Sequence, residues 1–338
     1  MSRRAPGAEA SGGRADEAGR PSLLDRRLVV VTGKGGTGKT TVAASLALAA
    51  AEAGRRVLVV EMGRDEHVPR LLAPGSPPVG YTGRELRPGL RGVRIDPYEA
   101  LAEYLGLQIG LRGLVARTLR SRAFRQWMDA APGWRELITL GKVWHFEQMR
   151  DPGGRPRFEL IVVDAPATGH GLTFLDVPRV VVSAVRAGPL RRHAEWVEAM
   201  VRDASRTLLL PVTLAEELPV RETAELVARA REQTRIAMDR VVVNAVVPPP
   251  FPPGIPDLDE RLEKLPALAG LPEPRVAAAC LRHLRTRFEL HRHHLGEVTR
   301  ATGLPVLVLP FLPDGVTGPE ALRPLVAPLL ADPVASAA

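Results

Sequence analysis

TGKGGTGKTT, residues 32–41, is the stretch on which the fold turns. It closes RLVVVTG (27–33), a short β-branched run ending in glycine that reads as a buried parallel strand. It opens GKTTVAASLALAAAEAG (38–54), where Val42, Leu46, Ala49 and Ala53 recur at helical spacing and Gly54 supplies a stop. RRVLVVE (55–61) is a second strand. Strand, glycine loop, helix and strand make a βαβ unit.

Gly33 to Thr40 fit G-x-x-x-x-G-K-[ST] in the required setting, with a strand before and a helix after. Glycines let the backbone N–H groups turn inward around phosphate oxygens, and the helix N-terminus adds its positive dipole end. Gly33, Lys34, Gly35, Gly36, Thr37, Gly38, Lys39, Thr40 and Thr41 are therefore the predicted nucleotide cradle. Lys39 is placed to reach the β and γ phosphates, and the Thr40 hydroxyl to bind Mg²⁺. The chain has 4 lysines against 42 arginines, and two of the four, Lys34 and Lys39, stand in this loop.

Further strands are expected at FELIVVD (158–164), RTLLLPV (206–212), DRVVVNAV (239–246) and PVLVLP (305–310), with helical patterns between them. The alternation predicts an α/β fold: a doubly wound, mostly parallel sheet of the P-loop NTPase type, with ligands at the carboxyl ends of its strands. Residues 1–25 and 331–338 read as tails, and 26–330 as the domain. Two mostly helical stretches, about 96–150 and 257–300, do not fit the alternation. They are expected to form one inserted helical subdomain, the second entered through VPPPFPPGIP (247–256).

Composition narrows the function classes. The apolar runs are too short to span a bilayer. MSRR is followed by no apolar h-region, so no secretory signal is expected, and the prediction is a soluble, cytoplasmic protein. The formal charge is +8. It is scattered arginine with no dense basic run, so nucleic acid is not an expected partner. The single cysteine, Cys280, excludes an intrachain disulfide framework and a multi-cysteine metal site, and is expected to be a buried thiol.

LIVVDAPATGHGLTFL (160–175) delivers Asp164 to the carboxyl end of its strand, where it would hold Mg²⁺ directly or through water. Pro166, Gly169 and Gly171 make the following loop suited to sensing a γ-phosphate. The GKGGTGKT form resembles the deviant Walker A loop of MinD, ParA and ArsA-type ATPases. DAPATGH resembles the D-T-A-P-T-G-H signature of the arsenical-pump (ArsA) and tail-anchored-protein-targeting (Get-type) ATPases. PYEALAEYL (97–105), APGWRELITLGKVW (131–144), VTLAEELPVRET (212–223) and VVVNAVVP (241–248) extend the resemblance over most of 27–325.

The resemblance implies an ATPase that binds Mg·ATP. It implies that Lys34 reaches across a dimer interface to the partner's nucleotide, in a homodimer or beside a paralogous chain. It gives Asn244 an adenine-contacting role, with PFLPDGVTG (310–318) as the second adenine-side loop, and favours ATP because no guanine signature follows VVVN. It gives His170 a switch or interface role.

Three departures stand out. The family carries an aspartate after its second strand to orient the attacking water, and in VVEMGRDEHVP (59–69) Gly63 occupies that place. Three readings remain open. Asp65, or its neighbour Glu66, substitutes; hydrolysis is slow and ATP acts as a conformational ligand; or the active partner is a different chain. The CxxC pair that clamps Get-type dimers with zinc is absent, and one cysteine cannot make the three-thiolate site for As(III).

Trp127, Trp134 and Trp144, with Phe124, Met128, Phe146 and Met149, are either an apolar surface for a hydrophobic client or core packing, and packing is preferred. His291, His293 and His294 read as a solvated basic helix rather than a metal site. ALRPLVAPLLADPVASAA (321–338) is broken by prolines and does not read as a membrane helix. The reading is an ArsA/Get-like ATPase coupling nucleotide state to dimer closure and a client. The alternatives are a nucleotide-gated scaffold with negligible hydrolysis and a ParA/MinD-like partitioning ATPase.

Overall fold

The computed structural model describes residues 22–62, 66–109, 121, 133–166, 168–249 and 274–333. Eight strands form one sheet in the order β3-β4-β2-β5-β1-β6-β7-β8. The central strand β1 (Leu28–Thr32) lies between β5 (Leu160–Asp164) and β6 (Thr207–Leu214), parallel to both. Beyond β5 comes β2 (Val57–Glu61), then β4 (Leu90–Arg94); beyond β6 come β7 (Val241–Val246) and β8 (Val306–Pro310). The chain leaves β1 toward β2 on one side, whereas β6 lies on the other. The carboxyl end of β1 is thus a topological switch point, where doubly wound sheets open a ligand crevice.

Side-chain alternation divides the core between the two faces of this sheet. Val29, Val31, Val57, Val59, Leu160 and Val162 face α1 (Lys39–Glu52) and α9 (Pro319–Leu330), which contributes Leu322, Leu325 and Leu329. Leu28, Val30, Leu58, Val60, Ile161 and Val163 share the opposite core with Leu140 and Val143 of α4 (Trp134–Gln148) and Val197 and Met200 of α6 (Pro189–Arg202). Strands buried on both faces must be apolar throughout, which is why they read as unbroken Val/Leu runs. Truncating a leucine, isoleucine or methionine among them to alanine costs about 2–5 kcal/mol.

The six expected strands are present, with ends moved by one or two residues. One pair is an addition. β3 (Arg84–Arg87) pairs antiparallel with β4 at the sheet edge, through a turn at Pro88-Gly89 where Gly89 takes φ +74°. Arg84, Arg87, Arg91 and Arg94 recur through this hairpin, as befits a half-exposed edge. The folded part also begins earlier than residue 26. Ser22 accepts a hydrogen bond from Leu24 N, and Leu23 is buried beneath the Val29 face.

The two helical stretches have different main neighbours. α3 (Pro97–Ile109) packs on α4, and α4 on α6 and on α5 (Thr168–Ala184). The 29-residue α8 (Pro274–Thr302) packs on α7 (Glu217–Gln233) and on β7 and β8. Residues 110–120, 122–132 and 250–273, which fall in or beside the expected subdomain, lie outside the described residues. No described helix is long and apolar enough to cross a membrane; the C-terminal α9 is a core helix.

Candidate nucleotide site at the switch point

The loop after β1 is shaped by contacts that only glycine tolerates. A Cβ on Gly33, where φ is +148°, would lie 2.1 Å from the Val212 carbonyl oxygen on β6. Gly38 caps α1 at φ +85°, and a Cβ there would lie 2.2 Å from Asn244 Nδ2. The turn is closed from within: the Thr37 hydroxyl donates to the Lys34 carbonyl at 2.9 Å. Lys39 Nζ donates to the same oxygen, also at 2.9 Å. The carbonyl thus holds the ammonium where the motif places it for phosphate. Gly35 and Gly36 are exposed at the tip, and Thr41 is half-buried in the first turn of α1.

Asp164 closes the other side. Thr40 Oγ1 donates to Asp164 Oδ2 at 2.6 Å, across 124 residues of chain. Asp164 Oδ1 is buried without a hydrogen-bond partner among the described residues. Burial pushes the Asp164 carboxyl up, against the opposing pull of the Thr40 hydroxyl and the Lys39 ammonium. Burial likewise lowers the Lys39 pKa, opposed by Asp164. A hydroxyl and an orphaned carboxylate oxygen side by side are the hard oxygen donors that Mg²⁺ takes, and they fit the predicted metal pair of Thr40 and Asp164. A divalent cation there would reverse the penalty of burying the charged carboxylate.

Asn244 stands at the end of β7, where pairing with β8 breaks register between Val243 and Val246 and Ala245 adopts φ +56°. Its Nδ2 donates to the Thr37 carbonyl at 3.0 Å. Besides the base-contacting role predicted for it, Asn244 therefore ties the far strand to the phosphate loop.

Lys34 does not point at the cradle. Its ammonium pairs with Glu222 of α7 within the same chain.

The loop after β2 is built on two glutamates. Glu61 ends β2 in register with Asp164 and is almost wholly buried. Its Oε1 accepts from His67 N at 2.6 Å and Val68 N at 2.9 Å. Burial pushes this carboxyl up to about 7. Glu66 accepts from Val79 N at 2.6 Å and Gly80 N at 2.9 Å and pairs with Arg94 at 3.2 Å. Glu66, one of the two acids proposed to replace the missing switch aspartate, is thus committed to amides on the β3 side. Gly63 and Asp65 lie outside the described residues, as does the side chain of His170. Sequence reasoning overlooked Glu61. The available signal was a carboxylate ending an otherwise apolar strand beside the strand that ends in Asp164.

Three other expectations meet the structure. Cys280 is exposed on α8 rather than buried. His291 and His294 are buried rather than solvated. His291 Nδ1 accepts from Val247 N at 3.1 Å, and His294 Nδ1 lies 2.6 Å from Glu297. Only His293 is exposed, 3.3 Å from the same carboxylate. Helical spacing alone does not show which face of a long helix is covered. Trp134 packs edge-on against Tyr98 at 5.0 Å, and Trp144 stacks on Trp196 at 5.2 Å; both border the core, as the packing reading expects. Trp127, Phe124 and Met128 lie outside the described residues.

Comparison with known proteins identifies the family. Residues 26–192 match the family model described as Anion-transporting ATPase. The chain is 33% identical over 317 residues to the putative ATPase Mb3704 of Mycobacterium bovis, covering 88% of this chain and 91% of the relative. The ATPase BagA of Mycobacterium tuberculosis matches to the same extent, 33% over 317 residues. An arsenical pump-driving ATPase of Escherichia coli is 29% identical over 206 residues, 60% of this chain and 32% of the relative.

Proposed function

The chain belongs to the anion-transporting, ArsA-type ATPase family, and from that premise we propose that it binds Mg·ATP at the carboxyl end of β1. We infer that it hydrolyses ATP and that nucleotide state drives closure of two protomers. The observation that carries the reading is the Thr40–Asp164 pair with its orphaned oxygen, set beside Lys39 in the first turn after the glycine loop.

The residues divide the work as follows. Loop amides from Gly35 to Thr40 take phosphate oxygens in a dielectric lower than water's, where each contact counts for more. Lys39 exchanges the Lys34 carbonyl for the β and γ phosphates. Thr40 and Asp164 would hold the metal, which when bound neutralises charge on the phosphates. With Glu61 and Glu66 both holding amides, Asp65 is the carboxylate proposed to orient water. Lys34, released from Glu222, completes the site of the facing protomer, which is a second copy or a paralogous chain. The α3–α4–α6 helices transmit closure to a protein client of apolar character, without membrane insertion by this chain and without nucleic acid.

A second reading, a nucleotide-gated scaffold with negligible turnover, is favoured by Gly63 and by the commitment of Glu61 and Glu66. Titration calorimetry with a non-hydrolysable ATP analogue tests the site. Mg²⁺ is expected to tighten binding roughly tenfold or more in the wild type and by less than about twofold in Asp164→Asn. Equal gains in both proteins would remove Asp164 from the metal site and with it the observation that carries the reading.

A further inference from the structure

The loop's two lysines are held in different ways. Lys39 rests on main chain inside the cradle, with nothing to prevent exchange for phosphate. Lys34 is held by a side chain 188 residues away, Glu222, in the second turn of α7. That helix is fixed: Val220, Thr223, Leu226 and Val227 are buried on either side of Glu222 in sequence. It follows β6, the strand that flanks β1, so the carboxylate is presented to the phosphate loop by the sheet itself. Only one oxygen of Glu222 is used. Oε2 is buried and has no partner among the described residues. The pair is also partly open to water, at 38% and 32% side-chain exposure. A screened ion pair of this kind is weak enough to be exchanged.

We propose that Glu222 is a positioning residue that latches Lys34 in cis. It holds the ammonium over its own protomer until triphosphate on a facing protomer outcompetes a single carboxylate. The proposal rests on the two-protomer reading above. It adds the device that keeps the trans lysine from acting before a nucleotide-loaded partner arrives. The competition is one of charge: a carboxylate carries one negative charge, whereas a triphosphate carries three to four. Only the second partner is strong enough to hold Lys34 across an interface, and it exists only when nucleotide is bound.

The test exploits the scarcity of lysine. With 4 lysines in the chain, amine acylation read by mass spectrometry reports Lys34 cleanly. In the nucleotide-free protein, Glu222→Gln is expected to raise the labelling rate of Lys34 about threefold or more, leaving Lys142 unchanged. With a non-hydrolysable ATP analogue, the same variant should dimerise at a nucleotide concentration roughly threefold or more below the wild type's, as read by sedimentation. That shift should vanish in a Lys34→Ala background, whereas a merely structural role for Glu222 would persist there. Equal labelling of Lys34 in wild type and Glu222→Gln would overturn the latch. A shift that survives in Lys34→Ala would overturn it as well. A wild type that binds the analogue yet stays monomeric would overturn the two-protomer reading and the release step with it, while the labelling result still decides whether the latch exists.

Discussion

The loops that leave β1 and β2 emerge from the same edge of the sheet, separated only by β5, and they are held in opposite ways. The first is organised by main chain. Its glycines permit positive φ, and the Lys34 carbonyl alone takes the Lys39 and Thr37 side chains. The second is organised by acids. Glu61 and Glu66 each accept two amide hydrogens and so fix the backbone on either side of residues 63–65. A loop held by its own main chain is ready for anions. A loop whose nearby acids are already engaged has fewer groups free for chemistry. Binding and turnover are therefore expected to depend on different loops, and substitutions can separate them.

The largest effect is expected in the first loop. Lys39→Ala leaves triphosphate charge uncompensated in a half-buried cradle, a loss of about 4 kcal/mol. That is roughly 1,000-fold in ATP affinity, measurable by calorimetry. Near-normal affinity would mean that amides alone hold the phosphates, and the contrast between the loops would sharpen into a purely main-chain site.

The difference between the loops also explains what the sequence disclosed. Glycines stand at fixed spacing where the backbone itself must turn toward a ligand, so the conformational demands met at Gly33 and Gly38 are legible without a structure. The strands are legible for a related reason, since burial on both faces leaves a continuous apolar run. The β3–β4 hairpin was hidden because its arginines recur every three or four residues around Pro88-Gly89, so no alternating apolar run marks a strand. Glu61 was hidden because its partners are amides, and an amide acceptor carries no spacing rule. The pairing of Lys34 with Glu222 joins elements far apart in the chain, and the faces of α8 that carry Cys280, His291 and His294 are decided by what packs on them. None of these is a local property.

A smaller effect is expected in the second loop. Asp65→Ala should lower steady-state phosphate release roughly 100-fold, the scale of a lost general base or water-orienting group. ATP affinity should change less than about twofold, because affinity belongs to the first loop. Equal and appreciable rates in wild type and variant would remove Asp65 from the reaction. The converse substitution, Gly63→Asp, should then raise the rate by restoring a carboxylate at the family's position.

The smallest effect concerns the proton rather than the nucleotide. The carboxyl of Glu61 sits at about 7 in the folded chain against an ordinary 4.5, chiefly because it is buried. A raised carboxyl disfavours the folded state once it must ionise. Below the ordinary value both states are protonated and the group costs nothing. Between the ordinary and the raised value the unfolded chain ionises first, so stability falls by about 1.4 kcal/mol per pH unit. Above the raised value the cost is constant, at most roughly 3 kcal/mol. Glu61→Gln keeps an oxygen for His67 N and Val68 N and removes the titration. In urea unfolding without metal or nucleotide, the variant should therefore be more stable than the wild type by about 2 kcal/mol at pH 8 and nearly equal to it near pH 4.5. A difference that does not change with pH would show that Glu61 is ionised throughout. The acid at the root of the second loop would then be held by its two amides and not by a proton, and the two loops would be more alike than their contacts indicate.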